Sequence, residues 1–216
     1  KYLCSVAAIA IKNTSFNELL KQSYFDTVYK LATASEFRDL ETSFHIKRMS
    51  EMAALLWKNL GYSEEAVEEI QYAAQMHDIG KLGIPDNILQ KPGILTPEER
   101  KIMETHTSIG AKILEGSISP LLKLSRSIAM THHEKWDGTG YPNRLKGEKI
   151  PLAGRVTAIA DVFDALVSKR IYKPAYSIEK VFRMIFEQRG HHFDPKVVDL
   201  FFDTLPGILE IYEKYK

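Results

Sequence analysis

The sequence predicts an all-α domain, on three observations. Apolar residues recur at three- and four-residue spacing from end to end of the 216 residues. No run of alternating apolar and polar residues is long enough to read as a strand. Helix-starting signals such as Ser63-Glu64-Glu65, Thr96-Pro97-Glu98-Glu99 and Asp194-Pro195 punctuate the pattern.

In chain order, Leu3 to Ile11 (LCSVAAIAI) is an apolar run of nine, and crossing a bilayer takes about 20 such residues. It reads as the end of an upstream strand or helix, and the first residue, Lys1, suggests a piece of a longer chain. We therefore expect residues 1–24 to be a linker or the end of an upstream, sensory domain, and residues 25–216 to form the domain proper. Helical spacing runs from Phe16 to about Phe37 and from Thr42 to Leu60, where Gly61 ends it. Ser63 caps a helix running into Met76 and His77, and Thr96 one through about Leu114. Pro120–His132, Leu152–Ser168, Ser177–Gln188 and Pro195 to about Tyr212 follow. Between Glu134 and Pro151 lies the longest loop, rich in glycine. Eight or nine helices with no sheet must bury their apolar faces against each other.

Lys plus Arg (29) and Asp plus Glu (28) nearly cancel, so no broad basic field marks the chain for DNA, RNA or a membrane surface. A single cysteine, Cys4, excludes an internal disulfide and fits a cytoplasmic setting.

The chemistry lies in histidines and carboxylates. Glu41 and His45, four apart, share one helix face. His77-Asp78 follows an apolar stretch, where a charge is costly unless paired or bound to a cation, and Lys81 sits one turn on, within reach of a phosphate or of Asp78. His132-His133-Glu134 ends a helix and leads into Trp136-Asp137-Gly138-Thr139-Gly140-Tyr141-Pro142, whose glycines allow close approach of backbone to a ligand. Asp161 and Asp164 lie one turn apart in an otherwise apolar helix, so a cation beside at least one is the simplest account.

The ordered set Arg38-Asp39-x-Glu41-Thr42-x-x-His45, HDIGK, IPD, KPG, His106, HHE, DGTGYP, LKGExIPL, ADVFDAL and HFDP closely resembles the HD-GYP family over about residues 36–197. The resemblance implies an HD-type fold with a multinuclear metal centre in its helical core. One ion would be held at His45, His77, Asp78 and Asp161, a second at His106, His132 and His133 with Asp78 bridging, and a third would involve Glu41. Two or three divalent ions, Fe or Mn by ligand type, are expected. The implied activity is hydrolysis of cyclic di-GMP to linear pGpG or GMP through a metal-bridging hydroxide, with Asp78 and Lys81 as catalytic groups. Lys81, Gly140, Tyr141, Pro142, Arg170 and Lys173 are the implied substrate contacts. The signature loop is also implicated in contacts with GGDEF-domain proteins, and oligomerisation stays open. His192, in HFDP, is expected to brace a loop rather than bind metal.

Two positions depart from the family pattern, Ser43 and Arg144, each where glycine is usual. Three rival readings remain: a module that binds cyclic di-GMP or a partner without hydrolysis, a simpler HD phosphohydrolase acting on a nucleoside phosphate, and an enzyme preferring the mixed GMP–AMP cyclic dinucleotide.

Overall fold

A computed structural model describes residues 2–38, 43–168 and 176–215, apart from the side chains of residues 2–8, 10 and 43. The described residues form eleven α-helices, α1 Tyr2–Glu36, α2 Ser43–Asn59, α3 Glu64–Ala74, α4 Asp86–Leu89, α5 Pro97–Glu104, α6 His106–Ile113, α7 Pro120–Thr131, α8 Leu152–Val167, α9 Ile178–Glu187, α10 Pro195–Asp203 and α11 Leu205–Lys214. Short 3-10 turns at Ile79–Gly83 and Gly147–Lys149 complete the regular structure, and the only β pairing among the described residues is an isolated bridge, Arg189–Phe193. The all-α expectation holds.

The caps read from the sequence form as expected. Thr96 and Glu99 make a reciprocal capping box, the Ser63 hydroxyl accepts from Ala66 N, and the Asp194 carboxylate accepts from Lys196 N. Three segments differ from the sequence reading. The apolar run after Lys1 belongs to α1, which is 35 residues long. The helix expected from Thr96 to Leu114 is divided at Thr105, where α5 ends and His106 opens α6. The one expected from Pro195 to Tyr212 is divided at Thr204, two residues before Pro206, whose missing N–H cannot continue the ladder. These breaks, with the short α4, account for the higher helix number. No helix of the described residues is long and apolar enough to cross a membrane.

Helix α2 lies at the centre, between α3 and α8, while α7 packs against α3, α6 and α8. Their facing side chains, among them Ile46, Met49, Met52, Ile128, Val156 and Phe163, form one continuous core. The C-terminal half of α1 joins it through Phe25, Val28 and Ala32, with Phe25 stacked on Tyr72 of α3 at 3.9 Å.

Two backbone features bring the site together. The turn at Ile79–Gly83 crosses the start of α6 so closely that a Cβ on Gly80 would stand 1.8 Å from His106 O. Only glycine fits there, and the contact fixes Asp78 relative to His106. Arg38, just past α1, donates to the carbonyls of Lys81, Leu82 and Ile84 and to Asp86, fastening the same turn from the other side.

Candidate metal centre

Four of the five histidines singled out in the sequence orient themselves through the ring nitrogen that faces away from the centre. His77 Nδ1 lies 3.0 Å from Ala74 O, His106 Nδ1 2.8 Å from Met103 O, and His132 Nδ1 3.1 Å from Ile128 O. His45 Nδ1 lies 2.7 Å from Asp164 Oδ2. With Nδ1–H donating to oxygen, each ring turns its Nε2 to the interior, as histidines that bind metals do. The local cause is simple: three of these rings sit at a helix end or in the first turn of a helix, where backbone carbonyls three or four residues back point at the ring.

Those nitrogens meet carboxylates. Asp78 Oδ1 stands 3.1 Å from His106 Nε2 and 3.4 Å from His132 Nε2, while Oδ2 is 3.2 Å from His77 Nε2 and 2.7 Å from Lys81 Nζ. Despite that closeness, His77 Nε2 and Asp78 Oδ1 are buried without a hydrogen-bond partner. Acceptors facing acceptors at this range repel unless a positive charge lies among them, and burial removes water as a remedy. A divalent cation fits this donor set.

The donors fall into two main groups. Asp78, His106, His132 and His133 each offer an atom within 4.8 Å of the others, and so do His45, His77 and Asp161. The groups adjoin, with the His77 and His132 rings 5.1 Å apart, and the Asp78 carboxylate faces both, His106 and His132 through one oxygen and His77 through the other. Glu36, His77 and Asp78 form a third cluster, in which Lys81 Nζ also lies 3.8 Å from Glu36 Oε1.

The electrostatics agree. Burial and the neighbouring His132 and His106 rings hold His133 well below the usual imidazole range; burial lowers His132 as well. Both are therefore neutral and ready to ligate near pH 7. His77 goes the other way. Burial opposes its proton, but the adjoining Asp78 carboxylate, helped by Asp161 and Glu36, overrides this and pushes it up to about 10. With protein groups alone around it, His77 keeps a proton that an ion must displace. Loading the chain with Mn²⁺ at pH 8 is therefore expected to release about one proton per chain, and the release should fade as the pH passes 10. Titration in weak buffer with a pH indicator measures it. Release near zero at pH 8 would contradict this protonation.

The loop expected to carry the signature closes over the second group. Gly140 lies so near the Glu134–Lys135 backbone that a Cβ would stand 2.3 Å from Lys135 N. Tyr141 stacks on His133 with ring centroids 4.8 Å apart, so it braces that imidazole, and Pro142 follows it exposed. Glu134, buried, accepts from Asn143 N at 2.7 Å and Leu145 N at 2.9 Å, which closes the loop on itself. The carbonyls of His191 and His192 accept from Asp137 N and Trp136 N, in keeping with a bracing segment at HFDP.

Arg144 has φ +54, a left-handed conformation that explains why glycine suits the position. Arg144→Gly is expected to raise stability by about 0.5–1 kcal/mol, a shift of about 1–3 °C in melting temperature by calorimetry. A lower melting temperature would count against strain at this residue.

Of the residues put forward from the sequence, the structure brings together His45, His77, Asp78, Lys81, His106, His132, His133, Tyr141 and Asp161. Glu41, Arg170 and Lys173 lie outside the described residues. Glu36 and Arg48 were not put forward, Glu134 was named without a role, and Asp164, named with Asp161 as a carboxylate beside a cation, has a cationic side chain there instead. Asp164 binds Arg48 through both oxygens, at 2.5 and 2.9 Å, while holding His45. The spacing of Arg48, three residues after His45 on α2, was the available signal, since both then share a face.

Comparisons with known proteins agree with this geometry. The chain matches the HD domain family over residues 15–197. It is 48% identical over 192 residues to a cyclic di-GMP phosphodiesterase of Thermotoga maritima, covering 89% of this chain and 52% of that protein. It is 44% identical over 192 residues to the 3'3'-cGAMP-specific phosphodiesterase 2 of Vibrio cholerae, covering 89% and 37%. The chain thus spans about half the length, or less, of these curated relatives. Among solved structures, a cyclic GMP-AMP-specific phosphodiesterase of V. cholerae shares the fold with a TM-score of 0.64 at 21% identity, over 86% of this chain and 50% of that one. The family match across most of the chain, with the ordered HD, HHE and GYP motifs, shows that this chain belongs to the HD domain family, in its HD-GYP branch.

Proposed function

We propose that the chain is a metal-dependent phosphodiesterase domain that hydrolyses cyclic di-GMP. One observation carries the reading: the Nε2 atoms of His77, His106 and His132 converge on the buried Asp78 carboxylate. A pair of divalent ions in such a site supplies Lewis acidity to a phosphodiester and a water acidified toward neutrality. The chain's own residues do the rest. Asp78 and the imidazoles would hold the ions, and Lys81, ion-paired with Asp78 Oδ2, keeps that carboxylate anionic and oriented. Tyr141 and the Gly140–Pro142 backbone wall the side on which the substrate lies.

Imidazole and carboxylate donors suit Fe or Mn, and a third ion would require Glu41. Arg170 and Lys173, immediately beyond α8, are proposed to bind a phosphate or guanine edge, a task for which the Arg fork is suited. We also propose residues 25–216 as the catalytic unit, supported by Phe25 being the first buried residue among the described side chains of α1, and a cytoplasmic setting, supported by the lone cysteine. The exposed loop around Pro142 is the proposed contact for a GGDEF-domain partner.

The test is anaerobic incubation with cyclic di-GMP and Fe²⁺ or Mn²⁺, with metal analysis and chromatography of products. Linear pGpG or GMP is expected. Intact dinucleotide with a full metal complement would favour a binding module instead. The V. cholerae relative named for 3'3'-cGAMP makes that dinucleotide the second substrate to test, and faster turnover of it would transfer the assignment. Glu41→Ala is expected to lower the metal count by one and leave two; an unchanged count would remove the third site.

A further inference from the structure

A cleft of about 380 Å³ opens between α1, α2 and α3, with Tyr215 at its side, and none of the candidate metal ligands lines it. Its walls follow from helical spacing. Gln22, Asp26 and Tyr29 fall on one face of α1, at intervals of four and three, and Lys47, Ser50 and Glu51 do the same on α2. Gln71, Tyr72 and Gln75 come from the last turns of α3 and its cap. Sites for small molecules combine apolar surface with a few polar groups that fix orientation. Here Phe25 and Tyr72 stack at 3.9 Å, and Tyr29 and Tyr215 add two further rings.

The polar part is incomplete. Gln75 is only 6% exposed, and its Oε1 is buried without a hydrogen-bond partner. Nearly all buried polar atoms in folded proteins are paired, because an unpaired one keeps the whole cost of leaving water. The terminal torsion of a glutamine is broad, so the amide can turn either of its atoms to the cleft. Gln71, half-buried, supplies a second amide to the same lining.

Charge narrows the occupant. Among the lining side chains Lys47 stands against Asp26 and Glu51, and Glu51 is already paired with Lys214 at 3.0 Å and accepts from the Tyr215 hydroxyl. With no net positive charge, the lining has nothing to set against a phosphate. A cation would find its places over the rings taken. Lys47 and Lys30 stand 5.2 and 5.8 Å from the centre of Tyr29, and Lys214 4.7 Å from that of Tyr215. What fits is a neutral, planar molecule that lies against the rings and offers an N–H beside an acceptor. A glutamine amide bonds such an edge through both its atoms, as it does the N6/N7 edge of adenine.

We infer that this cleft binds a neutral planar heterocycle of the purine base or nucleoside class, held by the Gln75 amide and the aromatic side chains around Tyr72. Gln75 lies two residues before His77, and Tyr29 lies on the helix that carries Ser35, whose hydroxyl donates to Asp78 O. An occupant therefore touches both segments that hold the metal-binding turn. The inference does not depend on the hydrolytic assignment.

Isothermal titration of the Mn²⁺-loaded chain with adenosine and with guanosine is expected to show one site for at least one of them, retained when the metal is removed with EDTA. Gln75→Leu keeps the size of the side chain and removes the unpaired amide. It should bind that nucleoside roughly tenfold more weakly or worse, with no loss of melting temperature. Gln71→Ala should weaken binding as well, and gives the same reading without altering the segment before His77. The 5′-monophosphate of the same nucleoside, and spermidine, should each bind more weakly than the nucleoside. No binding of either nucleoside at millimolar concentration, equal affinity in the parent and both variants, or tighter binding of the monophosphate or of spermidine would overturn the assignment.

Discussion

Asp78→Ala is expected to remove both ions together and to lower the proposed phosphodiesterase activity by roughly a thousandfold or more, about 4 kcal/mol in the barrier. The reason is geometric. One Asp78 oxygen faces His106 and His132 and the other faces His77 and Lys81, so a single carboxylate borders both donor groups. Without it the imidazoles remain, but the negative charge that favours a cation among them falls away. Lys81, buried between Asp78 and Glu36, would then lie close to the vacated position as a competing cation. Elemental analysis of the purified variant, beside product chromatography, checks both parts. A variant that kept two ions per chain would refute the bridging role, whatever its activity. Asp78→Asn retains the side-chain volume, so loss of metal there, with an intact circular dichroism spectrum, separates ligand loss from unfolding.

The helical class was legible because every long helix must present a periodic apolar face, and its caps use few residue types. Thr96-Pro97-Glu98-Glu99 is the plainest case: the box forms as its residues indicate. The division between Thr105 and His106 was not legible. It follows from the close crossing of Gly80 over His106 O, a contact between residues 26 apart in the chain. The candidate ligands were legible because a metal needs particular side chains and because the ordered HD and HHE motifs, with His106 between them, resemble a known family pattern. Their supports were less so. Glu134 closes a loop onto backbone N–H groups, and nothing in its sequence neighbourhood distinguishes that task from ligation beside His133. Arg48 belongs with Asp164, 116 residues away, and periodicity says nothing about such pairs.

That last pair supports the second large effect. Asp164→Asn is expected to destabilise the fold by about 3–5 kcal/mol and to weaken metal binding by roughly 10- to 100-fold. Asp164 is fully buried, yet its two oxygens receive Arg48 Nε at 2.5 Å, Arg48 Nη2 at 2.9 Å and His45 Nδ1 at 2.7 Å. An amide offers one acceptor and no charge, so the buried Arg48 guanidinium would lose its counter-ion. His45 would lose the acceptor that keeps its proton on Nδ1 and turns its Nε2 toward Asp161, 3.5 Å away. Burial works to raise the Asp164 carboxyl, but the hydrogen bonds from His45 and Arg48 prevail and hold it below the usual carboxylate range. A depressed folded pKa contributes stability that is fully present above about pH 4 and is lost as the pH falls through the folded value. The variant should therefore be less stable at neutral pH, while its stability should fall less steeply than that of the parent in strong acid. Chemical denaturation between pH 3 and 7, with metal titrations at pH 7, distinguishes the two consequences. Equal stability in parent and variant at pH 7 would mean that Arg48 needs no charged partner, and undiminished metal affinity would mean that His45 is held by other means.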